Sequence, residues 1–170
     1  MTGLHRRAFL LGTTAAVPLA LAGCESLGPK VDAAIAGIVE YGQAIYVGLK
    51  SMWAQIQTLP QVQALSADTR ATIVGSGKAV GDFLSALAGA QSAAQAQPIV
   101  AKLVTYAQAA LAALAGVPGL PVAVVGLIGA AQIVLPVLQS LVGLAVATVA
   151  QVQAATAAKA QLLAAPAPAN

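Results

Sequence analysis

From Val31 onward, apolar residues recur at alternating spacings of three and four. Ile35, Ile38, Gly42, Ile45, Leu49, Met52, Ile56 and Leu59 make a sustained seam on one helical face. Val39, Tyr46 and Trp53 flank the seam and widen it, while Glu40 and Lys50 fall on the solvent side. The pattern predicts a helix from Val31 to Thr58, about 42 Å long at 1.5 Å per residue, ended by Pro60.

A second helix is predicted to begin at Ser66, an N-cap residue type with Asp68 in the favourable first turn. Ile73, Gly77, Val80, Leu84 and Leu87 form its seam, with Lys78 and Asp82 outside. Gly77 and Gly81 have the spacing of a small-residue contact, although simple Gly/Ala richness explains them equally well. Gly89 suits the C-terminal stop, and the polar run Gln91–Gln97 reads as a connection. Pro98 suits the first turn of a third helix, whose seam is Val100, Leu103, Ala107, Ala110 and Leu114, with Ile99, Val104 and Leu111 beside it. Gly116-Val117-Pro118-Gly119-Leu120-Pro121 is the clearest turn in the chain.

Beyond Pro121 the pattern changes. Val122 to Ala131 is apolar on every side, Gln132 interrupts it, and Pro136 is expected to bend it. Further on, Gln139, Gly143, Ala147, Gln151 and Ala154 form a small or polar stripe opposite Leu141, Leu144 and Val152. No charged residue stands between Lys102 and Lys159. The expected fold is all-α, a compact bundle of four main helices, the fourth long, very apolar and bent near Pro136. That fourth helix is long enough to cross a bilayer, which takes roughly 20 residues. Gln132, Gln139 and the prolines favour burial in the bundle, where three apolar seams need a partner. The charge-free run keeps open the alternative of a membrane-inserting or pore-forming protein that uses residues 119–150.

Composition sharpens this. Of 170 residues, 59% are hydrophobic and 8% charged, against a charged share of roughly 25% in average proteins. Such a chain does not have the low hydrophobicity and high charge of a disordered one. A mean hydropathy of +0.84 equally sets it apart from an ordinary soluble enzyme. The formal net charge of +3 and pI near 9.3 rest on eight Lys and Arg, too few for a dense phosphate-binding patch, so no nucleic acid is expected as a partner.

The first residues, MTGLHRRAFLLGTTAAVPLALAGC, place a short cationic segment ending in Arg6-Arg7 before an apolar run from Ala8 to about Ala20. This is the layout of an export signal. Its end, Leu21-Ala22-Gly23-Cys24, resembles the lipobox of bacterial lipoproteins. The resemblance implies cleavage before Cys24, with diacylglycerol on its sulfur and an acyl chain such as palmitate on its new amino group. Two or three acyl chains attach firmly where one binds marginally. Cys24 is the only cysteine, so no intramolecular disulfide can form. An uncleaved membrane-anchoring helix is the alternative for this segment. His5-Arg6-Arg7-Ala8-Phe9-Leu10-Leu11 also resembles the twin-arginine export signal, departing from its usual pattern at His5 and Leu11. An ordinary secretory signal with paired arginines fits too. The implied organisation is a removable signal at 1–23, a lipidated linker at 24–30, one α-helical domain at 31–160 and an Ala/Pro-rich disordered tail at 161–170. Without the signal, Lys30, Lys50, Arg70, Lys78, Lys102 and Lys159 face Glu25, Asp32, Glu40, Asp68 and Asp82, a net charge of +1. The basicity belongs largely to the signal.

His5, the only histidine, also leaves with the signal. Histidine triads, Cys–His dyads and thiolate or histidine metal sites then have no residues to build them, and neither a catalytic residue, a cofactor site nor a metal site is expected. The acids show no glycosidase-like pairing. Gly75-Ser76-Gly77-Lys78 resembles part of a phosphate loop but lacks its full spacing and sits in a helical period. Trp53, Tyr41, Tyr46 and Tyr106 suit core or rim positions, or the lining of an apolar pocket. The sequence therefore predicts a non-catalytic envelope lipoprotein, a structural or accessory bundle that binds a partner protein or an apolar ligand. It would be held to a membrane through Cys24 and face the periplasm. Glu25, in place of the aspartate that retains many lipoproteins at the inner membrane, leans toward the outer membrane.

Overall fold

The computed structural model describes residues 28–141, 143 and 147–166. These form an all-helical fold with no strand among the described residues. The elements are α1 (Gly28–Ile56), α2 (Pro60–Gln63), α3 (Ala67–Leu87), α4 (Ala93–Ala115), α5 (Val122–Leu141) and α6 (Val149–Leu163).

The first seam becomes the centre of the molecule. Ile38, Ile45, Leu49, Met52 and Ile56 are buried, and Ile35 and Leu59 at its ends are half-buried. α1 packs against α3, α4, α5 and α6, which stand around it in chain order. Neighbours in that order pack on each other, whereas α3 and α6 do not close the ring. Two glycines set how near the surrounding helices come. A Cβ added to Gly42 would overlap Leu84 of α3, and one added to Gly48 would stand 2.5 Å from Leu162 Cδ2 of α6. Gly81 of α3 lies against the Tyr46 ring, while Gly77 faces open space, so only one of that glycine pair makes a close contact.

Several boundaries differ from the sequence expectation. α1 begins at Gly28, inside the expected linker, because proline is tolerated in a first helical turn and Pro29 sits there. Pro60 does not merely end α1 but opens the one-turn α2. α3 starts as expected, with the Ser66 hydroxyl accepting from the Thr69 amide at 3.1 Å. α4 starts at Ala93 rather than Pro98. Ser92 caps it by accepting from the Gln95 amide at 3.3 Å, and the Gln95 side chain accepts from the Gln91 amide at 2.8 Å. Pro98 is thus inside the helix, where its missing N–H leaves the exposed Ala94 carbonyl to solvent.

The expected fourth helix is two helices, which together with the one-turn α2 raises the count among the described residues from four to six. Pro136 lies within α5 and does not end it. The chain breaks further on, at Gly143, whose φ of +73° is a left-handed conformation that favours glycine. Thr148 then starts α6 with a reciprocal cap: its hydroxyl accepts from the Gln151 amide at 3.2 Å and the Gln151 side chain accepts from the Thr148 amide at 2.7 Å. The stripe from Gln139 to Ala154 is therefore split between two helices and forms no single face. α6 also runs into the expected tail as far as Leu163, with Leu162 buried against α1.

Candidate functional site

Cys24, Arg6 and Arg7 lie outside the described residues, as do the rest of the expected export signal and most of the expected linker. Within the bundle, two surfaces gather side chains from separate elements and a third is the exposed face of one helix.

The first lies where the helical ring is open, between α3 and α6. There α1 shows Ile35, Ala36, Val39, Glu40 and Gln43 in a wide groove that Ala88, Ala90 and Leu163 complete. The floor is apolar because these α1 residues flank the buried seam. Its polar edge belongs to a clasp between α1 and α6. Lys159 donates to Glu40 at 2.6 Å, its ammonium stands 5.0 Å from the centre of the Tyr41 ring, and the Tyr41 and Thr156 hydroxyls are 3.3 Å apart. The Lys159 side chain is only 17% exposed, so its stem is covered while the head meets both a carboxylate and an aromatic face. The sequence placed Glu40 in solvent and gave no partner for Lys159; their separation along the chain hides the pair.

The second is a smaller pocket between α4 and α5, lined by Gln108, Leu111, Ala112, Gln132, Leu135, Pro136 and Gln139. Three carboxamides over an aliphatic floor offer donors and acceptors but no charge. The third is the outer face of α5. Its inner stripes bury Val124, Leu127, Ile128, Ala131, Val134, Leu135 and Leu138, which accounts for the apolar character of that side alone. Its outer stripe leaves Val122 89% exposed, with Val125 and Ile133 also in the open. Both α4, from Ala94, and α5 are long and apolar enough to cross a membrane by length and composition, and half of the α5 window is buried inside the bundle. The sequence reading singled out only the later of the two.

The aromatic residues divide between rim and core edge. Tyr41, Tyr46 and Trp53 are half-buried against the core, and Tyr106 is exposed with its ring 5.5 Å from that of Phe83. The segment resembling a phosphate loop is ordinary α3 interior. Ser76 is buried, and Lys78 donates to Asp82 one turn on at 2.8 Å. The hydrogen bond to Asp82, and then its charge, hold the Lys78 ammonium above the usual lysine range. Among the described residues, no group of three or more His, Cys, Asp or Glu is placed to hold a metal ion. Compared with protein-family models, with curated proteins and with solved structures, the chain matches none.

Proposed function

We propose that the mature chain is a lipid-anchored protein of the bacterial cell envelope, a helical bundle with a structural or accessory role that takes a partner protein or an apolar ligand and performs no catalysis. The observation that carries this reading is the position of Cys24. Only Glu25, Ser26 and Leu27 separate the lipobox-like cysteine from Gly28, where the central helix starts. Acyl chains on Cys24 would hold the helix that touches all the long neighbours directly beside a membrane, facing the periplasm. The apolar groove along α1, near that same end, supports the ligand-binding part of the reading. Arg6 and Arg7 would serve export, with the twin-arginine route favoured, and Glu25 favours the outer membrane.

Metabolic labelling with an alkyne-bearing palmitate analogue tests the anchor. Label should enter the wild-type protein, disappear in Cys24→Ala, and map by mass spectrometry to an N-terminal peptide beginning at Cys24. An unlabelled wild-type protein whose chain still begins at Met1 would sink the proposal.

A second reading, insertion of 119–150 into a bilayer, is favoured by the adjacency of two helices long and apolar enough to cross one. It predicts dye leakage from liposomes across a range of pH, and intact vesicles at high protein load would remove it.

A further inference from the structure

We propose that the outer face of α5, together with the adjoining side of α4, rests on a lipid bilayer while the bundle remains folded. This contact is separate from any lipid on Cys24.

The first support is the segregation of charge. α3 carries Asp68, Arg70, Lys78 and Asp82, and no charged residue occurs between Lys102 and Lys159. Since α4 stands between α3 and α5, the charged helix and the uncharged one lie on different sides of the molecule. The bundle as a whole therefore has the asymmetry that an amphipathic helix has at an interface.

The second support is what the uncharged side shows to its surroundings. Val122, Val125 and Ile133 are exposed along one stripe of α5, with Pro136 continuing it. Leaving such side chains in water forgoes the favourable free energy that covering their apolar surface would release. A protein partner would be expected to meet a rim of charged and polar groups. The polar side chains that the described residues place beside the stripe are uncharged: Gln108, Gln132 and Gln139 in the pocket between α4 and α5, Gln161 of α6 against Gly126, and Ser140, whose hydroxyl donates to the Val137 carbonyl. Uncharged amides are suited to the headgroup layer, where they keep hydrogen-bonding partners while the valines and the isoleucine reach the acyl boundary.

The geometry sets the orientation. Gln61, in α2, donates to the Gly119 carbonyl at 3.4 Å, which fixes the α4–α5 turn at the C-terminal end of α1. Leu141, at the other end of α5, lies beside Gly37. The face thus runs the length of α1, and the bundle would lie with its long axis parallel to the bilayer. Without cations on this face, attachment draws on apolar burial and depends little on anionic lipid or salt.

The test uses the full chain with Cys24→Ser, so that no acyl group can form, combined singly with Val125→Cys, Ile133→Cys or Val74→Cys. Val74 is an exposed apolar residue of α3 and serves as the control. Each cysteine receives an environment-sensitive nitrobenzoxadiazole label, and the chain is mixed with phosphatidylcholine vesicles whose acyl chains are brominated. Circular dichroism first establishes that each labelled chain keeps its helix content. The expected result is a blue shift and loss of emission at 125 and 133, no loss at 74, and the same pattern at low and high salt. Unquenched labels at 125 and 133, whether or not the chain sediments with vesicles, overturn the proposal. Equal quenching at all three sites does so too, since it means the bundle has opened. A blue shift at 125 and 133 without vesicles would assign the face to a second copy of the chain instead.

Discussion

Gly48→Ala is the sharpest probe of how α6 is held on α1. Alanine gains about 1 kcal/mol over glycine in a helix interior from backbone entropy alone. At position 48 that gain meets a steric cost, because the new Cβ would stand 2.5 Å from Leu162 Cδ2, with Leu162 Cγ and Cβ at 3.5 and 3.6 Å. Leu162 is fully buried, so its side chain must make room by a shift within the core rather than by turning out to solvent. Forcing an extra methyl into a packed core costs typically about 1–3 kcal/mol. The net expectation is a loss of roughly 0–2 kcal/mol, the difference of those two effects. Gly77→Ala supplies the comparison: it too is helical, but nothing lies within 4 Å of the added Cβ, so the entropic gain stands alone and the protein gains about 0.5–1 kcal/mol. Leu162→Ala should cost about 2–5 kcal/mol by leaving a cavity. The double variant Gly48→Ala/Leu162→Ala should lose less than the two single losses combined, because the second change removes the atom that the first collides with. Urea unfolding followed by far-ultraviolet circular dichroism measures all four proteins. If Gly48→Ala stabilises as much as Gly77→Ala, or if the double variant is strictly additive, α6 is not packed on α1 through this contact.

Thr148→Ala removes the hydroxyl side of the α6 cap and should cost about 1 kcal/mol, read as faster hydrogen exchange at amides in the first turn of α6. Gly143→Ala has open space around its new Cβ, so its cost is backbone strain alone, about 1–2 kcal/mol for a left-handed residue, visible as a lower urea midpoint. The Lys78–Asp82 pair has a pH signature. The folded-state ammonium titrates above the usual lysine range, so any stability it adds is fully present below that range and is lost as pH rises through the higher folded pKa. Asp82→Asn should flatten the alkaline limb of the stability curve; an unchanged limb would show that the pair, exposed as it is, does not couple to folding.

The buried positions were legible in the sequence because a helix repeats locally. Val100, Leu103, Ala107, Ala110 and Leu114 are all buried, and so is the α1 seam from Ile38 to Ile56. The misplaced starts of α4 and α6 share one cause. Ser92 with Gln95 and Thr148 with Gln151 carry the S/T-x-x-Q spacing of a capping signal, but each precedes a segment whose more conspicuous features drew the boundary elsewhere. Pro98 suggested a first turn, and the unbroken apolar run after Pro121 suggested a continuous helix. At the candidate site the same division holds. The resemblance of residues 21–24 to a lipobox rests on a contiguous run, whereas the groove on α1 and the Lys159–Glu40 clasp need residues brought together from distant parts of the chain. Nothing in local periodicity specifies which helix will be central.

The central position of α1 also governs how the molecule would bear load. A pull applied at Gly28 acts along the axis of the helix that packs against α3, α4, α5 and α6 together. Drawing it out requires its contacts with all four to slide at once, which is shear rather than the one-at-a-time peeling that an outer helix such as α6 would undergo. A pull at Gly28 is therefore resisted through the whole core, whereas a pull at the far end of α6 would have only the contacts of that helix with α1 and α5 to overcome first.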